Sequence, residues 1–148
     1  MSKAAFLILG ILIGFCAALG ISGRAETWLV GSGIAIHGDR SHHYNWLTTG
    51  IGLEQTFTDT LRGAAGVYRN SNYNDSSYGA FIYMPFIAGA LKAGIFAGGA
   101  TGYRAPVTPV AGFAAAYEGK KYGMNLILVP PSGDSGKGVA WFQWKVRW

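Results

Sequence analysis

The feature that most constrains the fold is a series of short apolar runs that begins after residue 26. None of them shows helical periodicity. They are rich in aromatic and β-branched residues, and polar or proline-bearing segments separate them. Most are close to the roughly 9–11 residues that a tilted strand needs to cross a bilayer. We therefore predict eight strands: Trp28–His37, Trp46–Phe57, Leu61–Ser71, Tyr78–Ile87, Leu91–Tyr103, Thr108–Glu118, Tyr122–Pro130 and Gly138–Trp148.

An even number of such strands indicates a closed barrel. Every backbone N–H and C=O must be paired inside a bilayer, so strands cross it only when they close on themselves, and bacterial single-chain barrels have even strand numbers from eight upward. The 23 glycines argue against a helical bundle, because glycine destabilises a helix interior. We predict an all-β, eight-stranded antiparallel up-and-down barrel of the bacterial outer membrane over residues 26–148. A soluble lipocalin-like barrel is the alternative.

The connections between the predicted strands alternate in length. If the chain starts in the periplasm, the outer connections are polar or proline-bearing: Gly38–Asn45, Asn72–Ser77, Arg104–Val107 and Pro131–Lys137. The inner connections are tight turns: Thr58–Thr60, Ala88–Ala90 and Gly119–Lys121. Long outer loops and short inner turns are typical of outer-membrane barrels.

The first 25 residues differ from the rest of the chain. Lys3 precedes an unbroken apolar run, Ala4–Ile21, and Gly23 and Ala25 are small residues at positions −3 and −1 of a cleavage site. We interpret residues 1–25 as a cleaved secretory signal peptide. An uncleaved inner-membrane anchor is the alternative, because about 18 apolar residues can also span a bilayer. Cys16, the one cysteine, lies in this segment, so the mature chain has no thiol nucleophile.

Several predicted strands are apolar on both faces. A water-filled pore would place polar residues at every second position, and segments such as Gly79–Phe86 and Ala93–Ala100 do not. Asn125 is the only polar residue of Gly123–Val129. Strands of this kind imply lipid outside and an apolar interior, filled either by packed side chains or by a bound hydrocarbon chain. The glycine and alanine content favours a narrow apolar pocket.

Prolines mark the outer ends of two neighbouring predicted strands. Pro109 lies near the outer end of the sixth, and Pro130 and Pro131 lie at the outer end of the seventh. Because proline has no N–H, each removes a ladder hydrogen bond. This predicts a slot through which an acyl chain passes sideways from the outer leaflet. The alternative is that these prolines only end strands and shape loops.

Polar side chains that can take part in a reaction gather at the predicted outer rim. His37 ends the first predicted strand, and Arg69, Asn70 and Ser71 end the third. Both strands run toward the outer end, so we expect these residues at the same end of the barrel, with Tyr44 in the adjoining loop. A serine beside a histidine can support acyl transfer, because the imidazole accepts the hydroxyl proton as the oxygen attacks an ester.

Other chemistries fit the sequence less well. The formal charge is +5, and the basic residues are scattered singly apart from Lys120 and Lys121, so we expect no nucleic-acid partner. His42 and His43 lie near Asp39 but lack the spacing of a defined metal site. We therefore predict neither a metal nor another cofactor.

Short motifs along the whole predicted barrel occur in a characteristic order. They are Ile36-His37, Tyr44-Asn45-Trp46, Gly50-Ile-Gly52, Ala65–Ser71, Pro106–Val110, Leu128–Gly133 and Ala140–Trp144. In order and spacing they resemble the lipid A palmitoyltransferase (PagP) family, whose members are eight-stranded outer-membrane barrels that transfer an acyl chain from a phospholipid to lipid A. The resemblance implies membrane phospholipid and lipid A as partners of a monomeric barrel.

The resemblance also implies a catalytic site. The family's histidine falls on His37, its serine on Ser71 and its aspartate on Asn70. The last is a departure, because asparagine cannot act as a general base or balance an imidazolium. The chain is thus either an acyltransferase with altered or lost activity or a non-enzymatic barrel that binds lipid, masks the surface or is purely structural.

The predicted substrate contacts surround this site. We expect Arg69, Tyr44, Pro109 and Pro130 to contact the lipid substrate. A family glycine that forms the floor of the acyl pocket falls on Ile82, on the same strand face as Met84. Isoleucine there predicts selection of an acyl chain shorter than palmitate, because overfilling a packed pocket costs about 1–3 kcal/mol.

Overall fold

The computed structural model describes residues 26–38, 43–103, 105–131 and 138–148, so the predicted signal peptide lies outside the described residues. The strands in these ranges are β1 (Thr27–His37), β2 (Leu47–Thr48), β3 (Gly50–Thr56), β4 (Leu61–Arg69), β5 (Asp75–Ala88), β6 (Leu91–Ala100), β7 (Thr108–Glu118), β8 (Tyr122–Val129) and β9 (Val139–Arg147). No helix within these ranges is long and apolar enough to cross a membrane.

The strands close into a barrel through the pairing of β1 with β9. β2 and β3 both pair with β1 and together make one barrel strand, interrupted at Thr49. Every other strand pairs with its neighbours in chain order, and all the pairings are antiparallel. The predicted all-β, closed eight-stranded antiparallel barrel is therefore confirmed.

The predicted strand bounds differ from the observed ones mainly at polar ends. β5 begins at Asp75, three residues before the predicted start, because Asp75 and the two serines after it continue the ladder with β4 as far as Arg69. β6 ends at Ala100, before the predicted end, and Gly102 then turns the chain with a φ of +83°. Backbone pairing, rather than side-chain polarity, sets these two boundaries.

Side chains alternate between a buried inner face and an exposed outer face. On β9, Gln143 and Lys145 are buried, whereas Trp144 between them is 61% exposed. The outer face carries large apolar side chains on every barrel strand; examples are Ile36, Leu47, Ile51, Leu61, Phe81, Phe86, Leu91, Ile95, Phe113, Tyr117, Tyr122 and Trp144.

The middle of the lumen is an apolar cluster. It consists of Ala64, Ile82, Met84, Phe96, Ala114, Ala116 and Ile127. Tyr78, Ala80, Val110, Val129 and Trp141 pack against it from nearby positions. The prediction of an apolar interior holds for this part of the barrel, where packed side chains fill the space.

The lower end of the lumen, on the side of the short turns, is charged instead. Lys145 Nζ donates to Glu54 Oε1 at 2.9 Å and to Glu118 Oε1 at 2.6 Å, and Arg62 Nη1 bonds to the same two oxygens. Asn125 Nδ2 donates to Glu54 Oε2 at 2.8 Å. These residues, the lower charge network, correct the prediction of an apolar interior at this end. Pairing is what makes the burial of these charges tolerable.

Candidate functional site

The upper end of the barrel, opposite the short turns, brings His37 and Ser71 together. His37 is the last residue of β1, and Ser71 lies in the turn that follows β4. The Asn45 N–H donates to the Ser71 carbonyl at 2.9 Å and so ties the segment before β2 to this turn. The distance from His37 Nε2 to Ser71 Oγ is 2.7 Å, a hydrogen bond between two partly buried side chains. The geometry suits proton transfer from the hydroxyl to the imidazole.

Tyr44 packs on the imidazole of this pair. The two rings are stacked, with centroids 4.3 Å apart and an interplanar angle of 15°. Such a contact restricts rotation of the imidazole, because the ring keeps its stacking area only in one plane. Tyr44, predicted as a substrate contact, therefore lies directly against one member of the pair.

Asn70 is fully buried and directs its side chain at the turn rather than at the imidazole. Its Oδ1 accepts the N–H groups of Asn72 at 2.8 Å and Asn74 at 3.0 Å. Its Nδ2 donates to Ser76 Oγ and to the Gly102 carbonyl, both at 2.9 Å. These bonds use both amide protons and both acceptor positions. Asn70 thus fixes the turn that carries Ser71.

Gly102 explains why the loop after β6 can approach this turn so closely. Its φ of +83° lies in the region that side chains rarely adopt. A Cβ at this position would lie 2.8 Å from the Asp75 carbonyl and 3.1 Å from Asn70 Nδ2. Glycine is therefore required at the position whose carbonyl accepts a hydrogen bond from Asn70 Nδ2.

Arg69 lies at the same rim but on the outer face of the wall. Its side chain is exposed. Side chains alternate along β4, so Arg69 points away from the lumen, whereas the ring of the preceding residue, Tyr68, points into it. The Arg69 N–H donates to the Thr49 carbonyl at 2.8 Å. A cleft of about 1000 Å³ at the upper ends of β3, β4 and β5 is lined by Arg69 and Tyr103 among others.

An aromatic layer that the sequence analysis missed lies in the upper lumen. Tyr68, Tyr78 and Trp141 pack with ring centroids 5.2 to 5.9 Å apart. Trp141 Nε1 donates to Thr48 Oγ1 at 2.7 Å, and the hydroxyls of Tyr68 and Tyr103 are 3.0 Å apart. Burial raises the pKa of the Tyr103 hydroxyl, which keeps it a neutral partner. The sequence does contain a signal for this layer, because these aromatic residues occupy inward-facing positions on their strands.

Ile82 faces the lumen, as its predicted role at the floor of an acyl pocket requires. It is 4% exposed and belongs to the apolar cluster with Met84, which is fully buried. Side chains of the cluster occupy the volume next to it. The role of Ile82 as the floor of an acyl pocket stays a prediction.

Among the described residues, the ladder between β7 and β8 stops below the upper end of β7 and leaves a gap. Their ladder ends at the pair Phe113–Leu128. Above this pair, the described residues of the two strands pair only with their other neighbours. Residues from Gly112 to Thr108 of β7 pair with β6, and Val129 of β8 pairs with β9. The ladder therefore stops before it reaches Pro109 and Pro130, which fits both the predicted slot and the alternative that these prolines only end strands. Val110 and Val129, which touch the apolar cluster, lie at this gap.

The described residues contain no group of three or more His, Cys, Asp or Glu side chains that could hold a metal ion. No protein-family model matches the sequence, and no curated protein is significantly similar to it. What is established is a closed eight-stranded antiparallel barrel with a hydrogen-bonded serine and histidine at its upper rim.

Proposed function

We propose that the protein is an outer-membrane barrel that transfers an ester-linked acyl chain from a phospholipid to lipid A, with Ser71 and His37 as the reacting pair. The observation that carries this proposal is the 2.7 Å hydrogen bond between Ser71 Oγ and His37 Nε2. Serine hydroxyls become nucleophiles when a base within this distance accepts their proton. The family resemblance supplies the substrates, and the site supplies the chemistry.

The outer face of the barrel supports the membrane location. Phe86 is 73% exposed, Leu91 59% and Phe113 58%, and residues of this kind surround the wall. Contiguous exposed apolar surface of this extent is unfavourable in water, at about 25 cal/mol per Å². Lipid removes that cost, which favours an outer-membrane barrel over the soluble lipocalin-like alternative.

The first half of the proposed reaction forms an acyl-serine. Ser71 Oγ attacks the ester carbonyl of the phospholipid while His37 Nε2 accepts the hydroxyl proton. The ester C–O bond then breaks, and the imidazolium returns that proton to the departing alcohol oxygen of the lysophospholipid. Tyr44, stacked on the ring, holds the imidazole in the plane that reaches both oxygens.

The second half moves the acyl group to the acceptor. A hydroxyl of lipid A attacks the acyl-serine, His37 accepts its proton, and the Ser71 oxygen leaves with that proton restored. Water at the same position would hydrolyse the intermediate instead. The gap above Phe113 and Leu128 gives the donor chain a lateral path to the apolar residues Val110 and Val129.

A second candidate function is a non-enzymatic lipid-binding or structural barrel. The observation that favours it is the packed lumen. Ile82, Met84 and Phe96 fill the space in which an acyl chain would lie, and the aromatic layer covers them from above. A lumen of this kind stabilises the barrel without any substrate.

Mass analysis of lipid A from cells that express the protein separates the two candidates. We expect one added acyl chain with the wild type, and none with Ser71→Ala or His37→Gln. His43→Gln is the matched control, because His43 is exposed in the neighbouring segment and should leave the added mass unchanged. Unmodified lipid A in cells with a folded wild-type barrel would favour the non-enzymatic candidate.

A further inference from the structure

A row of outward-facing residues crosses five neighbouring strands and lies near the lower ends of β5, β6 and β7. The register aligns Phe86 of β5, Ala93 of β6, Ala115 of β7, Leu126 of β8 and Phe142 of β9. The two alanines in the middle of this row stand between much larger side chains. They form the floor of a depression in the outer surface, which we call the alanine depression.

Bulky side chains bound the alanine depression below and at one side. The next row toward the lower end contains Leu91 and Tyr117, which are 59% and 52% exposed. A register shift in β5 between Tyr83 and Phe86 breaks the regular ladder, and Phe86 projects with 73% of its surface exposed. The resulting cleft has a volume of about 790 Å³.

The backbone under the depression has no free hydrogen-bonding edge. Ala93 pairs with Ala115, and Ala115 pairs with Leu126, so the ladders of β6, β7 and β8 are continuous at this level. A partner strand cannot add to the sheet here, because its backbone would find no unpaired N–H or C=O. The depression offers mainly apolar contact, which suits a hydrocarbon chain.

Positive charge lies directly below the depression. The turn between β7 and β8 begins two residues after Tyr117 and carries Lys120 and Lys121, both exposed. Lys121 Nζ lies 5.8 Å from the centroid of the Tyr122 ring. Exposed tyrosines are typical of the boundary between hydrocarbon and headgroups, so the two lysines lie at headgroup level. Lys92 also lines the depression, but Glu118 pairs with its ammonium at 2.7 Å.

We propose that the alanine depression binds one acyl chain of an anionic phospholipid of the inner leaflet, and that Lys120 and Lys121 bind its phosphate. The inference rests on the proposed membrane location and not on the proposed acyl transfer. Apolar surface above and two cations below match an anionic lipid, whereas a zwitterionic headgroup adds a positive charge next to the lysines. The bound lipid would cover the one small-residue floor within this row of large side chains.

Native mass spectrometry of the refolded barrel in detergent tests the proposal. The probe is an equimolar mixture of phosphatidylglycerol and phosphatidylcholine with identical acyl chains. We expect the wild type to retain one phosphatidylglycerol. Ala93→Trp, which fills the depression, should reduce retention at least tenfold. Ala97→Trp is the matched control, since it lies on the same face of β6, four residues nearer the upper end, and should retain the lipid as the wild type does.

Two further variants keep the test decisive. Ala115→Leu fills the depression from β7 and replaces Ala93→Trp if that chain does not refold. Lys120→Gln with Lys121→Gln should abolish the preference for phosphatidylglycerol while an acyl chain still binds. Equal retention of both lipids by the wild type, or unchanged retention in the filled variants, would overturn the proposal.

The inference and the proposed function fail in different ways. A folded barrel that retains phosphatidylglycerol but adds no acyl chain to lipid A would refute the acyl transfer and leave this site intact. A barrel that transfers acyl chains but retains no phosphatidylglycerol would refute the site. A chain that fails to form a heat-modifiable barrel in detergent would refute the membrane location on which the site depends.

Discussion

The two ends of the lumen hold polar side chains in different ways. At the lower end, Glu54 and Arg62 are fully buried, charged and held by side chains from facing strands. At the upper rim, His37 and Ser71 are partly buried and meet where a strand end faces a turn. A rigid strand framework suits paired charges that must not separate, whereas a strand end and a turn leave the proposed nucleophile, Ser71, partly exposed at the rim.

The comparison predicts that the largest effect on activity comes from the upper rim. Ser71→Ala should reduce acyl addition to lipid A by at least about 100-fold, because the variant lacks the attacking oxygen. The folded band on an unboiled denaturing gel should be unchanged, since Ser71 lies outside the ladders. Ser71→Ala that keeps full transfer activity would end the proposed mechanism.

The largest effect on stability should come from the lower charge network. Glu54→Gln leaves Arg62 and Lys145 without one of their two carboxylates, and we expect it to lower the unfolding free energy by about 3–5 kcal/mol. Urea unfolding in detergent micelles, followed by tryptophan fluorescence, measures this change. Glu26→Gln is the matched control: its ion pair with Arg147 is partly exposed, so a loss of only about 0–1 kcal/mol is expected.

If both glutamate variants cost the same, the network does not stabilise the barrel more than a surface pair does. The two ends of the lumen would then differ in where their polar side chains lie, but not in how much those side chains contribute to the unfolding free energy. Transfer that stays unchanged in Glu54→Gln, although the variant breaks the network, would further separate stability at the lower end from chemistry at the upper rim.

Asn70 allows a smaller and sharper test at the upper rim. Asn70→Asp introduces the carboxylate that the predicted mechanism would use, but it removes the N–H donors to Ser76 and to the Gly102 carbonyl. A carboxylate facing a carbonyl oxygen should cost about 1–3 kcal/mol of unfolding free energy and misplace the Ser71 turn. We therefore expect lower stability and lower transfer. Higher transfer in Asn70→Asp would mean that the side chain acts on His37 and not on the turn.

Much of the fold was predictable because strands in a closed barrel alternate with a period of two. The predicted strand Thr108–Glu118 has the observed bounds of β7, and β8 differs from its prediction by one residue. The placement of His37 and Ser71 at the same end of the barrel was predictable as well, because it follows from strand direction. Strand order and direction are the properties that local sequence patterns determine.

The lower charge network was not predictable in the same way. Its members lie one to a strand, and the bond from Lys145 to Glu54 joins residues 91 positions apart. Which residues meet across a lumen depends on the stagger of the closed barrel, and no local pattern contains that stagger. The role of Asn70 depends similarly on Gly102, 32 positions away.

The smallest predicted effect concerns acyl-chain length and Ile82. If acyl transfer occurs, the wild type should prefer a chain shorter than palmitate, because Ile82 fills lumen volume that glycine would leave open. Each methylene that Ile82→Gly admits is worth about 0.8 kcal/mol, which is about a fourfold change in preference. Mass analysis of lipid A measures the profile of added chains. Ile95→Gly, an identical change on the exposed outer face, should leave the profile unaltered. A wild type that prefers palmitate, or a profile that Ile82→Gly does not shift, would place the chain's end elsewhere in the lumen.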